Sequence, residues 1–467
     1  MIICGDNLPQ SELNELLFEF EGGAATDVNI SLETREVTGG AEENESKSKA
    51  KNCELNFTVS SGDLIKKYAY KSVFEDFIDE KRKVKRYAKL SLYNFLCEKF
   101  GVTLDWGALT GIRPTKLYYQ QGENAEDFLL NQMGVSQKKF NVLKKIAEAQ
   151  KPYYHPDEDA VAFYAGIPFC PSRCQYCSFI SCEIGKTNML EDYVNALCYE
   201  IKESKKFIKK LRSVYVGGGT PVSLPLNLLE KVLCAIGDVP CEYTVEAGRA
   251  DCINADVFKL LKEHGVTRVC VNPQTFCDDT LKLMGRNHTA KEAEEKYYLA
   301  KSFGFDVNMD LIAGLPLETF ETFSSSLEKA LSLKPENLTV HTLCLKKGSK
   351  LKELCSRLPA GETCRMIDYS SRRTAEEGYE PYYLYRQKYM SDNLENTGYS
   401  LPKKECVYNV DVMEEIAQNV ACGANAVSKR VFLSQNRIER YGAPKDIATY
   451  CEKIEKITEE KAKLFGL

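Results

Sequence analysis

Three cysteines lie close together in the stretch Tyr164–Phe179, which reads YAGIPFCPSRCQYCSF. Cys170, Cys174 and Cys177 have three and then two residues between them. They follow a short apolar run, residues 161–167, which predicts a buried strand and places the cysteines on the loop that leaves it. Such a loop can wrap three thiolates around one face of an iron–sulfur cube. Three ligands for four irons leave one iron open to a substrate.

Two other interpretations of these cysteines stay open at the level of the residues alone. Structural zinc takes four ligands, usually from paired Cys-x-x-Cys arms. No partner pair follows at that spacing, although Cys182 could supply a fourth thiolate. A disulfide knot requires an oxidising compartment, and nothing in the sequence marks the chain as secreted.

The order Cys-x-x-x-Cys-x-aromatic-Cys after a strand resembles the signature of the radical S-adenosyl-L-methionine (SAM) enzymes. The flanking residues, IPFC before and YCSF after, resemble the oxygen-independent coproporphyrinogen III dehydrogenase family, and the front of the chain resembles its HemZ-type branch. The resemblance implies a 4Fe-4S cluster on Cys170, Cys174 and Cys177. It also implies that SAM chelates the fourth iron and is cleaved to a 5′-deoxyadenosyl radical.

Composition narrows the class of protein. A chain of 467 residues can hold two or three domains of about 100–200 residues each. Hydrophobic residues make up 43% and charged residues 28%, as in soluble globular proteins. A net charge of −5 argues against nucleic-acid binding by overall electrostatics. No apolar run approaches the ~20 residues of a membrane span, and no signal peptide is evident. The 19 cysteines are scattered along the chain, which favours a reducing cytoplasm.

Strands and helices alternate through the middle of the chain, which predicts an α/β fold with a parallel sheet. We expect a partial (β/α)6 radical SAM barrel over residues 151–350, an N-terminal α+β module over 1–150 and a C-terminal mixed α/β extension over 351–467. Chemistry should then lie at the carboxyl ends of the strands. The strands are predicted at 161–167, 212–216, 243–248, 267–272, 306–312 and 337–343, with helices such as Met189–Lys210 and Phe320–Leu333 between them.

The front module should contain strands at 27–37 and 54–60, a polar loop at 39–51 and helices at 84–100 and 137–150. The turn LTGIRPTK, residues 109–116, interrupts the helices. Arg113 and Lys116 in this turn could bind an anion, and a solvated basic turn is the simpler alternative.

Glycines follow the second predicted strand in GGGTP, residues 217–221. Consecutive glycines let backbone N–H groups approach a ligand, although a tight strand–helix connection explains them equally. The resemblance implies that Gly218, Gly219 and Thr220 contact the methionine end of SAM.

Polar residues stand at four further strand ends, where a salt bridge or a solvated loop would be the ordinary reading of each alone. A carboxylate could hold an ammonium group or a ribose hydroxyl, and an arginine fork could hold a carboxylate. The resemblance implies that all four contact SAM, together with three aromatic residues near the cysteines. The four are Glu246, Gln274, Arg286 and Asp310, and the aromatic residues are Tyr164, Tyr176 and Phe179.

The C-terminal part is less regular. Residues 376–395 are rich in tyrosine and also carry Arg386 and Lys388, which suits either an aromatic core strand or stacking on a tetrapyrrole with propionates. On the second interpretation Tyr383 and Arg386 contact the substrate. VACGANAVSK, residues 420–429, resembles a small-residue turn near the adenosine, and residues 444–464 predict a solvent-exposed amphipathic helix. His341, at the end of the sixth strand, is either a core or a catalytic histidine.

The resemblance implies oxidative decarboxylation of coproporphyrinogen III to protoporphyrinogen IX, with an electron donor such as flavodoxin or ferredoxin. One feature departs from the well-studied dehydrogenases, which carry a further cysteine where this chain has Phe179. A haem-binding chaperone that carries the cluster without turnover, and a radical SAM methyltransferase that degrades haem, therefore remain alternatives.

Overall fold

The computed structural model describes residues 2–5, 8–20, 26–37, 51–110, 113–177, 182–345, 349–354, 361–387, 390 and 394–466. The chain divides into two compact units, one formed by residues 1–143 with 387–394 and the other by residues 144–386 with 395–467. The proposed boundary of a separate extension at residue 351 stays a prediction. Among the helices in the described ranges, none is both long and apolar enough to cross a bilayer.

The first unit contains a four-stranded sheet in the order β1-β2-β3-β4, in which β1 and β2 are parallel and the other pairs antiparallel. Helix α2 begins at an aspartate cap, whose side chain accepts from the Asp79 N–H, and ends at Gly101 in the left-handed conformation. The elements are β1 Ile2–Cys4, α1 Gln10–Glu19, β2 Val28–Glu36, β3 Lys51–Ser61, β4 Leu64–Phe74, α2 Phe77–Phe100 and α3 Pro114–Gln121, and α4 Gln137–Gln150 runs across the division between the units.

The sequence predicted β2 and β3 of this sheet and missed β1 and β4. Alternate residues of β3 are buried, and they include Leu55, Phe57 and Val59. In β4 only the final residue, Phe74, is buried, and along the rest of the strand exposed side chains such as Lys67 and Lys71 alternate with half-buried ones. A strand with this pattern is not recognised from its sequence, because the prediction relies on alternating apolar residues that become buried. The predicted loop at 39–51 lies outside the described residues except for Lys51, which begins β3.

The second unit is built on one sheet of eleven strands, in the order β13-β14-β12-β11-β10-β9-β8-β5-β15-β16-β17. Its elements are β5 Ala160–Ile167, β6 Phe169–Cys170, β7 Cys182–Glu183, α5 Leu190–Ser204, β8 Lys210–Gly218, α6 Leu226–Ile236, β9 Glu242–Gly248, α7 Ala255–Glu263, β10 Arg268–Val271, α8 Asp278–Leu283, α9 Ala290–Ser302, β11 Asp306–Ala313, α10 Phe320–Leu333, β12 Asn337–Thr342, α11 Lys350–Leu354, α12 Glu362–Glu376, β13 Glu380–Tyr385, β14 Asn396–Ser400, α13 Val407–Glu414, β15 Gln418–Cys422, β16 Val427–Phe432, β17 Arg437–Gly442, α14 Ile447–Glu452 and α15 Ile454–Phe465.

The predicted partial barrel is confirmed. Strands β5, β8, β9, β10, β11 and β12 are neighbours in that order, and every pair is parallel. Seven of the eight residues of β5 are buried, as expected for a parallel strand covered on both faces. Because all six strands run in one direction, their carboxyl ends share one edge of the sheet, which we call the mouth.

Four strands of this sheet, β14, β15, β16 and β17, were not predicted, and a strand near β13 was only one of two interpretations of residues 376–395. β15 pairs in parallel with β5, so that Cys422 lies opposite Ala165. All five residues of β15 are buried, including Gln418 and Asn419. The Gln418 side chain exchanges two hydrogen bonds with the backbone of Val431, at 3.0 and 2.9 Å. A buried strand is recognised by a run of apolar residues. In β15 this run is interrupted by polar side chains, which form hydrogen bonds to backbone groups in the core.

The C-terminal segment differs from the single exposed helix predicted at 444–464. It forms two helices, α14 and α15, that meet at Lys453, and Tyr450, Ile457 and Lys461 on their inner side are buried. Lys461 Nζ lies 3.0 Å from Glu200 Oε1 of α5, with the two side chains 1% and 0% exposed. The apolar face of this amphipathic segment therefore packs on the barrel.

Further hydrogen bonds complete the environment of this buried ion pair. Lys461 Nζ donates to Ser204 Oγ at 2.7 Å and to the carbonyl of Ala421 at 3.0 Å. Glu200 Oε2 accepts from the Gly423 N–H at 2.8 Å and from the Tyr450 hydroxyl. The pair therefore holds the turn after β15 as well as the C-terminal helices.

We expect Lys461→Met to lower the free energy of unfolding by about 3–5 kcal/mol, because it leaves the Glu200 carboxylate buried without its cation. Lys463→Ala is the matched control. Lys463 lies on the same helix and pairs with Glu460 at the surface, so its loss should cost no more than about 0.5 kcal/mol. Urea unfolding followed by circular dichroism measures both, and equal losses would contradict a special role for the buried pair.

Candidate active site at the mouth of the barrel

The three cysteines lie on the loop that follows β5. Cys170 ends the two-residue strand β6, which pairs in parallel with β7, so that the loop carrying Cys174 and Cys177 closes on itself. The N–H of Cys182 donates to the Pro168 carbonyl at 2.8 Å at the base of this loop. We call residues 168–177 the thiol loop. Phe179, which the sequence analysis placed beside the cluster, lies outside the described residues.

Neighbouring elements fix the thiol loop from the side opposite β8. The Gln175 N–H donates to the Met284 carbonyl at 3.1 Å, and the Gln175 carbonyl accepts from the Leu351 N–H at 3.0 Å. Tyr176 packs against an apolar cluster that includes Met284, Leu351 and Ile312. The loop conformation is thus set by tertiary contacts from three other segments.

The glycines after β8 lie against the thiol loop. A Cβ atom on Gly219 would stand 2.5 Å from the Phe169 carbonyl oxygen and 2.9 Å from the sulfur of Cys170, so no larger residue fits. Gly218 has a φ of +114°. The Thr220 N–H donates to Phe169 O at 2.7 Å, and its hydroxyl lies 3.5 Å from Cys170 Sγ. Close packing against the first strand therefore accounts for the glycines without a ligand, and it also brings their backbone to the thiols.

Two carboxylates face this region from β9 and β11. Glu246 accepts from the Gly218 N–H at 3.2 Å. Burial, together with the charge of Asp310, raises the pKa of Glu246 to about 7 from its usual 4.5. Asp310 accepts from Asn308 Nδ2 at 2.9 Å, and His341 Nε2 lies 3.6 Å from its other oxygen. The arrangement concentrates negative charge where an ammonium group or ribose hydroxyls would offset it.

Gln274 and Arg286 lie on the segments after β10. Gln274 has a φ of +70°, and its N–H donates to the Asp310 carbonyl at 2.9 Å, so this residue forms an isolated parallel bridge to β11. Arg286 is 7% exposed, and its Nη2 donates to the Asn272 carbonyl. Within the described ranges, Arg286 Nε and Asn272 Oδ1 are buried without a hydrogen-bond partner. Buried polar atoms left in this way point to a group that binds between them.

Sequence reasoning missed a stack of tyrosines on the barrel interior. Tyr164, which the resemblance had singled out, stacks on Tyr215 and on Tyr408 with ring centroids 6.3 Å away in each case, and Tyr215 and Tyr408 are 4.7 Å apart. Tyr215 precedes Gly217 by two residues on β8, so strand alternation could have assigned it to the same face. Tyr408 comes from α13, and only the tertiary structure brings it to the stack.

The tyrosine-rich segment is divided between core and mouth. Tyr383 is 6% exposed, and its hydroxyl lies 3.1 Å from Thr339 Oγ1, while Tyr379 and Tyr382 are fully buried. Tyr385 is less buried, and its hydroxyl lies 3.3 Å from Nδ1 of His341. Lys388 and Tyr389 lie outside the described residues, and Arg386 is buried. Substrate contacts by Tyr383 and Arg386 stay predictions.

The donor set of the thiol loop fits an iron–sulfur cluster. Cys170, Cys174 and Cys177 bring three cysteine side chains to one loop, and soft thiolates are the ligands that such clusters take. In the described part of the chain, no three Cys, His, Asp or Glu side chains already surround a metal position. We therefore expect the thiols to be drawn together when the cluster binds.

Comparison with known proteins agrees with these observations. The radical SAM superfamily model matches residues 164–330. The oxygen-independent coproporphyrinogen-III oxidase-like protein HemZ of Bacillus subtilis is 37% identical over 406 residues, which cover 82% of this chain and 81% of that protein. The haem chaperone HemW of Lactococcus lactis is 33% identical over 230 residues, 47% of this chain and 60% of the chaperone.

A solved structure has a similar fold. It is the coproporphyrinogen III oxidase HemN of Escherichia coli, described as a radical SAM enzyme. The TM-score is 0.53 at 19% identity, and the match covers 67% of this chain and 73% of that one. At this identity the likeness concerns the fold alone.

Two buried carboxyls should make stability depend on pH. Burial raises the pKa of Glu246, and also that of Asp411 of α13, to about 7, although Arg212 beside Asp411 partly offsets the shift. The folded chain then keeps protons that the unfolded chain releases above about pH 4–5, so stability falls as pH rises to about 7. We expect Glu246→Gln and Asp411→Asn each to flatten this fall by about 1–3 kcal/mol in unfolding experiments between pH 5 and 8. An unchanged slope in both variants would contradict the raised pKa values.

The radical SAM model matches residues 164–330, which include the thiol loop and most of the barrel, and the HemZ match covers 82% of this chain and 81% of that protein. The chain therefore belongs to the radical SAM superfamily and, within it, to the family of oxygen-independent coproporphyrinogen-III oxidase-like proteins that includes HemZ.

Proposed function

We propose that this protein is a radical SAM enzyme that decarboxylates two propionates of coproporphyrinogen III to vinyl groups, giving protoporphyrinogen IX. The observation that carries the proposal is the position of the thiol loop. Cys170 lies against the glycine edge of β8, and Glu246 and Asp310 face the same region from β9 and β11. Similarity to HemZ over most of both chains supports the choice of a tetrapyrrole substrate.

The thiolates of Cys170, Cys174 and Cys177 would hold a 4Fe-4S cluster. When bound, that cluster and SAM supply the radical that removes a hydrogen atom from the β-carbon of the propionate. The propionate radical would then release carbon dioxide and pass one electron to an acceptor, which leaves a vinyl group on the tetrapyrrole. The protein's part is to fix the geometry and to exclude water and oxygen.

The polar groups around the mouth would bind SAM. The N–H groups of Gly219 and Thr220 already donate to the carbonyls of Ile167 in β5 and Phe169 in the thiol loop. This edge would therefore contribute mainly the space that its missing side chains leave for SAM. The carboxylates of Glu246 and Asp310 would accept hydrogen bonds from the ammonium group or the ribose. Arg286 has a buried Nε–H without a partner in the described ranges, and it would take the SAM carboxylate.

Tyr385 and His341 are the described polar side chains that we assign to the tetrapyrrole side. The His341 ring lies between Asp310 at 3.6 Å and the Tyr385 hydroxyl at 3.3 Å, so each ring nitrogen faces one partner. A histidine held in this way can keep a proton near a bound propionate and orient the carboxylate.

A second function has specific support. The HemW match covers 60% of that protein at 33% identity, and HemW is a haem chaperone. In addition, Phe179 stands where the well-studied dehydrogenases have a further cysteine. A protein that binds haem and carries the cluster without turnover is therefore the alternative.

Anaerobic incubation with SAM, a reductant and coproporphyrinogen III separates these functions. A vinyl product formed together with 5′-deoxyadenosine is the expected result. Haem binding without product would overturn the proposal in favour of the chaperone. A methylated linear tetrapyrrole formed from haem would assign the protein to haem degradation instead.

Cys174→Ala should lose most of the iron bound after anaerobic reconstitution, because it removes one of three thiolate ligands. Cys182→Ala is the matched control, since Cys182 lies at the base of the same loop and is not a ligand in this proposal. Iron and sulfide analysis with the visible spectrum measures both variants. Equal loss in both, with zinc in the wild-type protein, would indicate a four-thiolate zinc site.

Glu246→Gln should weaken SAM binding at least about tenfold, the effect of losing one charge-assisted hydrogen bond of about 1.5–3 kcal/mol. Asp411→Asn is the matched control, because it removes another buried carboxyl of raised pKa that contacts Arg212 near the amino end of β8. Isothermal titration of the cluster-loaded proteins with SAM gives both dissociation constants. Unchanged affinity in Glu246→Gln would remove this carboxylate from the site.

A further inference from the structure

Arg249 is a buried arginine whose guanidinium reaches the thiol loop. It follows β9 directly and is 3% exposed. Its Nη1 lies 2.9 Å from Ser172 Oγ, 3.2 Å from the Ser172 carbonyl oxygen and 3.8 Å from the sulfur of Cys174. One nitrogen thus contacts both the backbone of the thiol loop and one of its thiols.

Asp251 fixes the direction of this guanidinium. Arg249 Nε and Nη2 donate to the two carboxylate oxygens of Asp251 at 3.0 and 2.7 Å. This bidentate pairing uses one edge of the planar group, so Nη1 is left to face Cys174. Behind the carboxylate, the buried ring of His288 has its Nδ1 3.9 Å from Asp251 Oδ1.

We propose that Arg249 is a positioning residue for the iron–sulfur cluster, which holds the Ser172–Cys174 segment and raises the reduction potential of the cluster through the Cys174 ligand. The proposal rests on the proposed function only in requiring that the three cysteines bind a cluster. It names a residue that neither the cysteine motif nor the SAM-contacting positions contain.

The physical reason is the charge that reduction adds. An electron placed on the cluster is shared with its thiolate ligands, and a cation or an N–H donor close to one thiolate stabilises the reduced form. The effect is strong here because Arg249 and Cys174 are both buried, where water screens charges poorly. The carboxylate of Asp251 acts in the opposite sense, but it lies on the far edge of the guanidinium.

These opposite signs distinguish an electrostatic role from a purely structural one. Removing the cation with Arg249→Gln should lower the reduction potential. Removing the anion with Asp251→Asn leaves Arg249 in place with its charge uncompensated, and should raise the potential. Simple loosening of the loop would give no such reversal.

The experiment is a redox titration of the reconstituted 4Fe-4S protein without SAM or substrate, followed by electron paramagnetic resonance. At a fixed solution potential, Arg249→Gln should reduce the ratio of reduced to oxidised cluster about tenfold. This corresponds to a reduction potential lower by about 59 mV for a one-electron couple. Asp251→Asn should raise this ratio roughly threefold, since its charge lies farther from the thiolate. Arg249→Lys keeps the positive charge but loses the bidentate guanidinium geometry. Its reduction potential should lie between those of the wild type and Arg249→Gln.

Arg268→Gln is the matched control. Arg268 is a buried arginine at the start of β10 that pairs with Glu242, so its loss perturbs the core without touching the thiol loop. It should leave the potential unchanged. Potentials of Arg249→Gln and Asp251→Asn that equal the wild type, or that move in the same direction, would overturn the inference while the cluster assignment stands. Absence of any cluster in the wild type would overturn both.

Discussion

The close approach of β8 to the thiol loop is the constraint on which the rest of the site depends. Gly219 leaves no room for a Cβ between its backbone and the Cys170 sulfur, and the N–H groups of Gly219 and Thr220 bond to Ile167 and Phe169. This contact places the first cysteine at the carboxyl edge of the parallel sheet. Each further strand end then lies at a fixed distance from the thiols, because the strands are in register.

The same edge carries charge that a folded protein would otherwise avoid. Glu246 and Asp310 face one region of the barrel interior, and the pKa of Glu246 is raised by burial and by the Asp310 charge. Groups of one sign in a partly buried site cost free energy unless a ligand offsets them. Arg286 Nε and Asn272 Oδ1 are left without partners in the described ranges for the same reason. These uncompensated groups lower the stability of the fold at the mouth, and a charged cofactor bound there could restore it.

Elsewhere in the second unit, two buried ion pairs lie away from the mouth. Lys461 and Glu200 bind each other and the backbone of the turn after β15. Near the amino ends of the strands, Arg268 pairs with Glu242. These pairs stabilise the fold, although Nε and Nη1 of Arg268 are also buried without a hydrogen-bond partner in the described ranges.

The sequence by itself determined the cysteine motif, the six parallel strands and the placement of the polar residues at their carboxyl ends. These follow from local patterns, because a buried parallel strand is a short apolar run and its end is marked by glycine or a polar residue. Tertiary structure alone decided which distant groups meet there. Tyr408 joins the stack on Tyr164 from a helix of the C-terminal segment.

Arg249 likewise reaches Cys174 across 75 positions of the chain. Strand β15 was hidden because its polar Gln418 is satisfied by backbone groups of other segments, at Val431 and Glu158, and β4 because it has almost no fully buried position. Such pairings leave no periodic signal, since they depend on how separate elements pack and not on the order of residues within any one of them.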